Sequence, residues 1–234
     1  MKNIRSILGK ELKSYFIAPI AYIVIAIFLL VTGWFFFSTF FLYNQASLRN
    51  FFGLLPLIFS FVIPAVTMRL FSEELHVGSY EVLMTMPVTY GEVIIGKFLA
   101  AVSFVAIMLL PTLSYAITVS LLGSLDLGPI IGGYIGALFL GALFSAIGLL
   151  ASTLTRNQII AFIIGTSICF ALTLIDKMLF FLPASLLGVL ENIGADFHFQ
   201  NIAKGIIDSR DILYFASSSV VALYGANLVL QGKK

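Results

Sequence analysis

The sequence predicts an all-α integral membrane protein with six transmembrane helices, an N-terminal amphipathic interfacial helix, and short re-entrant helices between spans five and six. Three observations predict it. Of the 234 residues 60% are hydrophobic and only 10% charged, whereas a soluble domain is about one quarter charged. No Asp, Glu, Lys or Arg falls in residues 14–48, 50–68, 98–125, 127–155, 157–175 or 212–232. About 20 apolar residues cross a bilayer as a helix, so each window holds one span. Finally, residues 2–18 carry their own helical period ahead of the first window. The whole chain, 1–234, reads as one membrane domain.

At 100° per residue, Ile4, Ile7, Leu8, Leu12, Tyr15 and Phe16 fall within one half of a helical wheel, with Lys2, Lys10 and Lys13 opposite. This segment is expected to lie on the membrane surface and to end before Pro19. A secretory signal is disfavoured: the apolar run from Ile20 to Tyr43 exceeds an h-region of about 7–15 residues, and no small-x-small site follows it. Span one is Ile20 to Tyr43, and its far end, from Trp34 through Phe35, Phe36, Phe37, Phe40 and Phe41, reads as an interfacial aromatic belt. Span two, Phe51 to Phe71, contains Pro56 and Pro64 and should kink. Span three opens at a capping box, Thr89-Tyr90-Gly91-Glu92, and runs to Leu122 across Pro111. Span four, Ile130 to Ser152, has Gly133, Ala137, Gly141 and Ser145 at four-residue spacing, a ridge that lets another helix come close. Span five is Gln158 to Ile175, and span six Ile212 to Leu230. Between them, residues 177–211 are too apolar for a loose loop and are expected to dip back into the outer interface as short helices.

With the amino terminus inside, inner segments hold Lys2, Arg5, Lys10, Lys13, Arg69, Lys97, Arg156, Lys233 and Lys234, against Arg49, Lys177, Lys204 and Arg210 outside. The asymmetry places both termini of a multi-pass membrane protein in the cytoplasm.

Several chemistries lose support. A net charge of +2 offers no field for nucleic acid. The single cysteine, Cys169, builds neither a disulfide nor a thiolate metal site, and His76 and His198 are expected on opposite sides of the membrane. Gly91 to Lys97 matches G-x-x-x-x-G-K, but Phe98 supplies no hydroxyl for Mg²⁺ and the run opens a helix with no strand before it. No ionisable residue sits near the middle of a span, which counts against a proton-coupled carrier. Asp176 and Lys177 read as an interfacial or locally paired couple rather than a relay.

The most informative stretch runs from Pro64 to Phe98. It leaves span two, presents Glu73 and Glu74, turns near Gly78, makes about two helical turns ended by Pro87, and re-enters at Thr89. Tyr80, Leu83, Met84 and Met86 offer apolar surface on that short helix. A segment resting on an anionic leaflet should be basic, yet four acidic residues and no Lys or Arg lie between Arg69 and Lys97. This favours a protein partner over lipid for the 72–88 loop.

The pattern M-R-x-F-x-E-E, then G-S-Y-E-V-L, then M-P-V-x-x-x-E and G-K-F resembles the permease subunits of ABC-2 type transporters, especially the gliding-motility-associated branch. Lys10 to Ala21 resembles the family's amphipathic N-terminal helix, and the run from Gly205 to Phe215 its approach to span six. The resemblance implies a homodimeric, non-enzymatic permease of the bacterial inner membrane, an exporter in direction, that docks onto separate ABC ATPase subunits which bind ATP and Mg; the chain itself would bind no cofactor or metal. It maps docking contacts to Lys10, Glu11 and Lys13 and to Glu73, Glu74, Tyr80, Glu81, Leu83, Met84 and Pro87, and the outer re-entrant helices to 182–194. Membrane lipids surround it, and the resemblance leaves room for a further membrane or periplasmic subunit. A substrate path between two copies would be lined by Phe36, Phe40 and Phe59. From the residues alone, a secondary carrier or channel and a non-transporting scaffold stay open.

Overall fold

A computed structural model describes residues 2–43, 47–122, 126–178, 192–206 and 208–233. Among them six helical stretches are long and apolar enough to cross a membrane, and no strand occurs.

Helix α1 (Lys2–Ile17) is separated by Ala18 from α2 (Pro19–Tyr43). Proline suits that first position because it lacks the N–H that a helix start leaves unpaired. Helix α3 (Arg49–Thr67) carries Pro56 and Pro64, and after Met68 the chain resumes as α4 (Arg69–Val77), longer than the span ending at Phe71 that the sequence suggested. Gly78, at φ 80°, ends α4 in the left-handed region that favours glycine, and α5 (Ser79–Met84) follows. Thr89 then caps α6 (Tyr90–Leu109) through the reciprocal box with Glu92. At Pro111 the third span is not one α-helix. It tightens into a 3₁₀ turn, Leu110–Thr112, before α7 (Leu113–Leu122), because proline cannot donate to the preceding turn. The bundle is completed by α8 (Leu127–Leu154), α9 (Gln158–Met178), α10 (Ala195–Ala203) and α11 (Ser209–Gln231).

Helix α8 is the axis of the bundle, packed by α3, α6, α9, α10 and α11. Of its apolar window 72% is buried, against 22% in α9 and in α11. The ridge of small residues explains this. A Cβ on Gly133 would strike the Phe52 ring, one on Gly141 would come 2.7 Å from Val105, and one on Gly148 would strike Thr67, so side chains from α3 and α6 occupy the space that glycine leaves. The neighbouring Gly132 and Gly136 receive Ile202 and Phe199 of α10.

Helix α10 thereby plugs the end of the bundle opposite the chain termini, with Ala195, Phe199 and Ile202 fully buried. Asp176 of α9 accepts from the Phe197 N–H at 2.9 Å, Lys177 pairs with Asp196 at 2.6 Å, and His198 meets Asp211 of α11 at 2.6 Å. Asp176 and Lys177 are thus fasteners of α10, bonded to residues about twenty positions on, a longer-range contact than the local pairing that the sequence suggested. The remainder of the expected re-entrant region, 179–191, lies outside the described residues. Helix α1 lies along α6, with Ile7 and Tyr15 buried and Lys10 and Lys13 exposed, so its apolar stripe meets protein rather than only the bilayer surface.

Candidate functional site

The end of the bundle that carries both termini gathers α1, α4, α5 and the start of α6. At its centre is Lys97, one turn into the apolar part of α6 and only 1% exposed. A buried ammonium needs all three of its N–H donors satisfied. Nζ donates to Glu11 Oε1 of α1 at 2.9 Å, to Glu74 Oε1 of α4 at 2.8 Å, and to the Leu70 carbonyl at 2.7 Å. It also stands 5.0 Å from the centroid of the Phe71 ring, a cation–π contact. One side chain therefore ties three helices from distant parts of the chain.

Packing supports the same junction. A Cβ on Gly96 would sit 2.8 Å from Ile7 Cγ2 and 3.3 Å from the Ile4 carbonyl, so glycine allows α1 to approach α6 at this level. Arg69 lies over the Tyr15 ring, 5.5 Å from its centroid. Burial, and after it Glu11, raise the Tyr15 phenol above its usual range while Arg69 works the other way. At the amino end of α1, Asn3 Nδ2 donates to the Pro87 carbonyl and to Glu92, each at 3.3 Å. Both ends of the short connecting segment are therefore fastened to α1.

Between α1 and α4 lies a cleft of about 290 Å³, lined by Lys10, Glu11, Ser14, Glu73, Glu74 and Ser79 among others. Residues about sixty positions apart that the sequence singled out separately, Lys10 and Glu11 with Glu73 and Glu74, thus face one cavity. Lys13 is exposed on α1 and Glu81 on α5. Tyr80 and Leu83 are turned differently from the expected outward apolar face. Tyr80 is buried with its ring 6.3 Å from that of Phe71, and Leu83 packs against the core. The reason is that Phe71 offers α5 an apolar surface within the chain. What α5 and its flanks leave outward is Val77, Val82 and Met86, at 72%, 62% and 55% exposure. The Met84 side chain lies outside the described residues.

Phe36 and Phe59 are buried among the chain's own helices, Phe36 stacked on Tyr115 at 5.0 Å and Phe59 packed 6.0 Å from Phe28. Neither offers surface to a second copy in this conformation, and the Phe40 side chain is outside the described residues. An aromatic pair with one exposed member does occur near the expected path: exposed Phe61 of α3 meets half-buried Phe170 of α9, with ring centroids 5.4 Å apart. The run Gly91 to Lys97 is helical, and its lysine is consumed by the junction.

Sequence reasoning missed Lys97 as the organising group, meeting it only in the charge count, in the rejected G-x-x-x-x-G-K match and in the G-K-F pattern. The available signal was a lysine eight residues past a helix cap, inside an apolar run, which must find a buried partner. His76 and His198 stand on α4 and α10, at opposite ends of the bundle.

The family model described as ABC-2 family transporter protein matches residues 7–233. No curated protein matches the chain.

Proposed function

The chain belongs to the ABC-2 family of transporter proteins, a family of membrane subunits, and from that premise we propose that it is the permease of an ATP-driven exporter powered by separate ATPase subunits. In this reading two copies form the translocation unit in a bacterial inner membrane, with both termini in the cytoplasm. The terminal face then meets the ATPases, which bind ATP and Mg and close during each cycle. On the pattern that runs from M-R-x-F-x-E-E through G-S-Y-E-V-L and M-P-V-x-x-x-E to G-K-F we place the chain in the gliding-motility-associated branch.

The observation that carries the coupling role is the Lys97 junction. A force applied to α4, α5 or α1 reaches α6 through an ammonium held by both partner carboxylates, and reaches α3 through the continuous α3–α4 rod. A buried ion pair adds little to stability compared with apolar packing, but it fixes geometry. The docking surface is then Lys10, Lys13, Glu73 and Glu81 as a polar rim around Val77, Val82 and Met86, with Glu11, Glu74, Tyr80, Leu83 and Pro87 holding the surface in place from behind. Apolar centre and charged rim are the ordinary anatomy of a protein interface.

The path between copies runs along α2, α3 and α9, where the Phe61–Phe170 pair supplies aromatic surface and Phe36 and Phe59 brace it from within. The test is coupling in the complete complex. Lys97→Met in correctly inserted protein should leave ATPase co-purification measurable while lowering substrate-stimulated ATP turnover; Val82→Glu/Met86→Glu should abolish co-purification. Full stimulation in the first variant together with an intact complex in the second would defeat the proposal.

A further inference from the structure

A second cleft on the terminal face lies apart from the Lys97 junction. It measures about 580 Å³ and is lined by Leu75, Tyr80, Tyr90, Arg156, Leu230 and Lys233, with Gly78 and Glu81 completing its wall. Four parts of the fold meet here: the turn between α8 and α9, the end of α11, the start of α6 and the α4–α5 bend. Lys233 is drawn in because its Nζ donates to the Thr153 carbonyl at 2.6 Å, which brings the end of the chain against the α8–α9 turn. Arg156 stands in that same turn.

Two cations face one cavity, and among the described residues neither has an acidic partner within ion-pair distance, Glu81 included. Burial and then Arg156 lower the pKa of Lys233, so the two cations oppose each other across the cleft. Polar donors complete the wall. The Tyr80 hydroxyl is buried without a hydrogen-bond partner, and Tyr90 opens α6 beside it. Burial, then Tyr90 and Glu74, push the Tyr80 phenol up to about 12, so it remains a proton donor. Leu75 and Leu230 add apolar wall, and Leu154 and Ile159, on either side of the α8–α9 turn, are exposed apolar residues at the ends of their spans.

We propose that this cleft binds the phosphate headgroup of an anionic phospholipid, with Arg156 and Lys233 as the paired cations and the acyl chains outside along the exposed apolar faces of α9 and α11. Basic pockets between the inner ends of transmembrane helices suit such headgroups, because the phosphate is neutralised while its tails stay in hydrocarbon. A free phosphate satisfies the cations but gains nothing from the apolar margin. A protein carboxylate would have to enter at the level of the span ends, beside residues exposed towards lipid. A bound lipid would pin the α4–α5 bend to the ends of α8 and α11, giving membrane composition a hold on the segment that faces the ATPase. This last step rests on the proposed orientation and coupling; the binding itself does not.

The experiment uses the full chain alone, so failure of the coupling reading leaves its outcome intact. Purified protein is mixed with phosphatidylcholine vesicles, or with phosphatidylcholine–phosphatidylglycerol vesicles, extracted into detergent, and bound lipid is read by native mass spectrometry, with inorganic phosphate as competitor. Phosphatidylglycerol should be retained over phosphatidylcholine, and Arg156→Gln/Lys233→Gln should weaken retention roughly 30-fold, the ordinary worth of two interfacial cations. Lys2→Gln/Arg5→Gln, which removes as much charge from α1, should change it little. Equal retention in the Arg156/Lys233 variant and the unmodified chain overturns the site. Equal loss in the α1 variant shows general attraction and also overturns it. Full displacement by inorganic phosphate assigns the cations to free phosphate and overturns the lipid.

Discussion

Replacing Lys97 by methionine tests how much of the terminal face depends on one ammonium. Methionine keeps the length and apolar stem of lysine but leaves Glu11 and Glu74 facing each other, and the Leu70 carbonyl loses its side-chain donor. Breaking a buried ion pair by removing one partner costs about 3–5 kcal/mol. Glu11 and Glu74 are 14% and 17% exposed, so water reaches them in part and the expected cost falls to about 2–4 kcal/mol. For a chain of this size that is a fall in unfolding midpoint on the order of 5–15 °C. The triple variant Glu11→Gln/Glu74→Gln/Lys97→Met removes all three charges, and should regain most of the loss because no charge is left uncompensated. Thermal unfolding of detergent-solubilised protein followed by circular dichroism reads both. A midpoint for Lys97→Met within about 1 °C of the unmodified chain, or a triple variant no better than the single one, would refute the assignment of Lys97 as the electrostatic centre.

Gly96→Ala should push α1 from α6, since the added methyl meets Ile7 at 2.8 Å; proteolysis within α1 should accelerate several-fold, and an unchanged digestion rate would count against the packing. Gly78→Ala meets no neighbouring atom, so its cost should be purely the left-handed backbone, about 1–2 kcal/mol, visible as a lowered midpoint and rescued by asparagine more than by valine. Gly194→Ala would place a methyl on the Asp176 carboxylate and should release α10, so that a cysteine introduced at Phe199, buried in the parent, becomes reactive to maleimide. Cys169 is fully buried and should stay unlabelled in the native protein, which makes topology testable with single cysteines: Ser79 should label only from the inner side and Asn192 from the outer.

The spans were legible because their signals are local. Charge-free windows set their number, and Pro19, Gly78 and the Thr89–Glu92 box set boundaries through the dihedrals and hydrogen bonds of a few adjacent residues. What was not legible depends on distant partners. Whether α5 turns Tyr80 inward or outward is decided by Phe71, nine residues earlier, and by the core beneath it. Likewise the α8 ridge announced a close approach, yet both of its faces are used. The Gly133–Gly141 side takes Phe52 and Val105, while Gly132 and Gly136 admit α10, a contact that hydrophobic periodicity alone does not reveal.

The residues that carried the family resemblance are those that build the junction. In the M-R-x-F-x-E-E run, Arg69 covers Tyr15, Phe71 lies under Lys97, and the second glutamate, Glu74, pairs with it. The glycine of G-S-Y-E is the left-handed Gly78, the glutamate of M-P-V-x-x-x-E is the capping Glu92, and G-K-F contributes Gly96 against Ile7 followed by Lys97 itself. Sequence reading assigned Glu11, Glu73, Glu74 and Glu81 to a surface facing a partner, from the family resemblance and because an acidic segment does not suit an anionic leaflet. The structure divides them by depth instead. Glu73 and Glu81 are exposed, while Glu11 and Glu74 spend their charge inside the chain. Neutralising Glu73 and Glu81 should therefore change partner binding in a salt-dependent way and leave the unfolding midpoint alone, whereas neutralising Glu11 and Glu74 should do the reverse. If co-purification at rising salt and the unfolding midpoint respond alike to both pairs, the division between rim and junction is wrong.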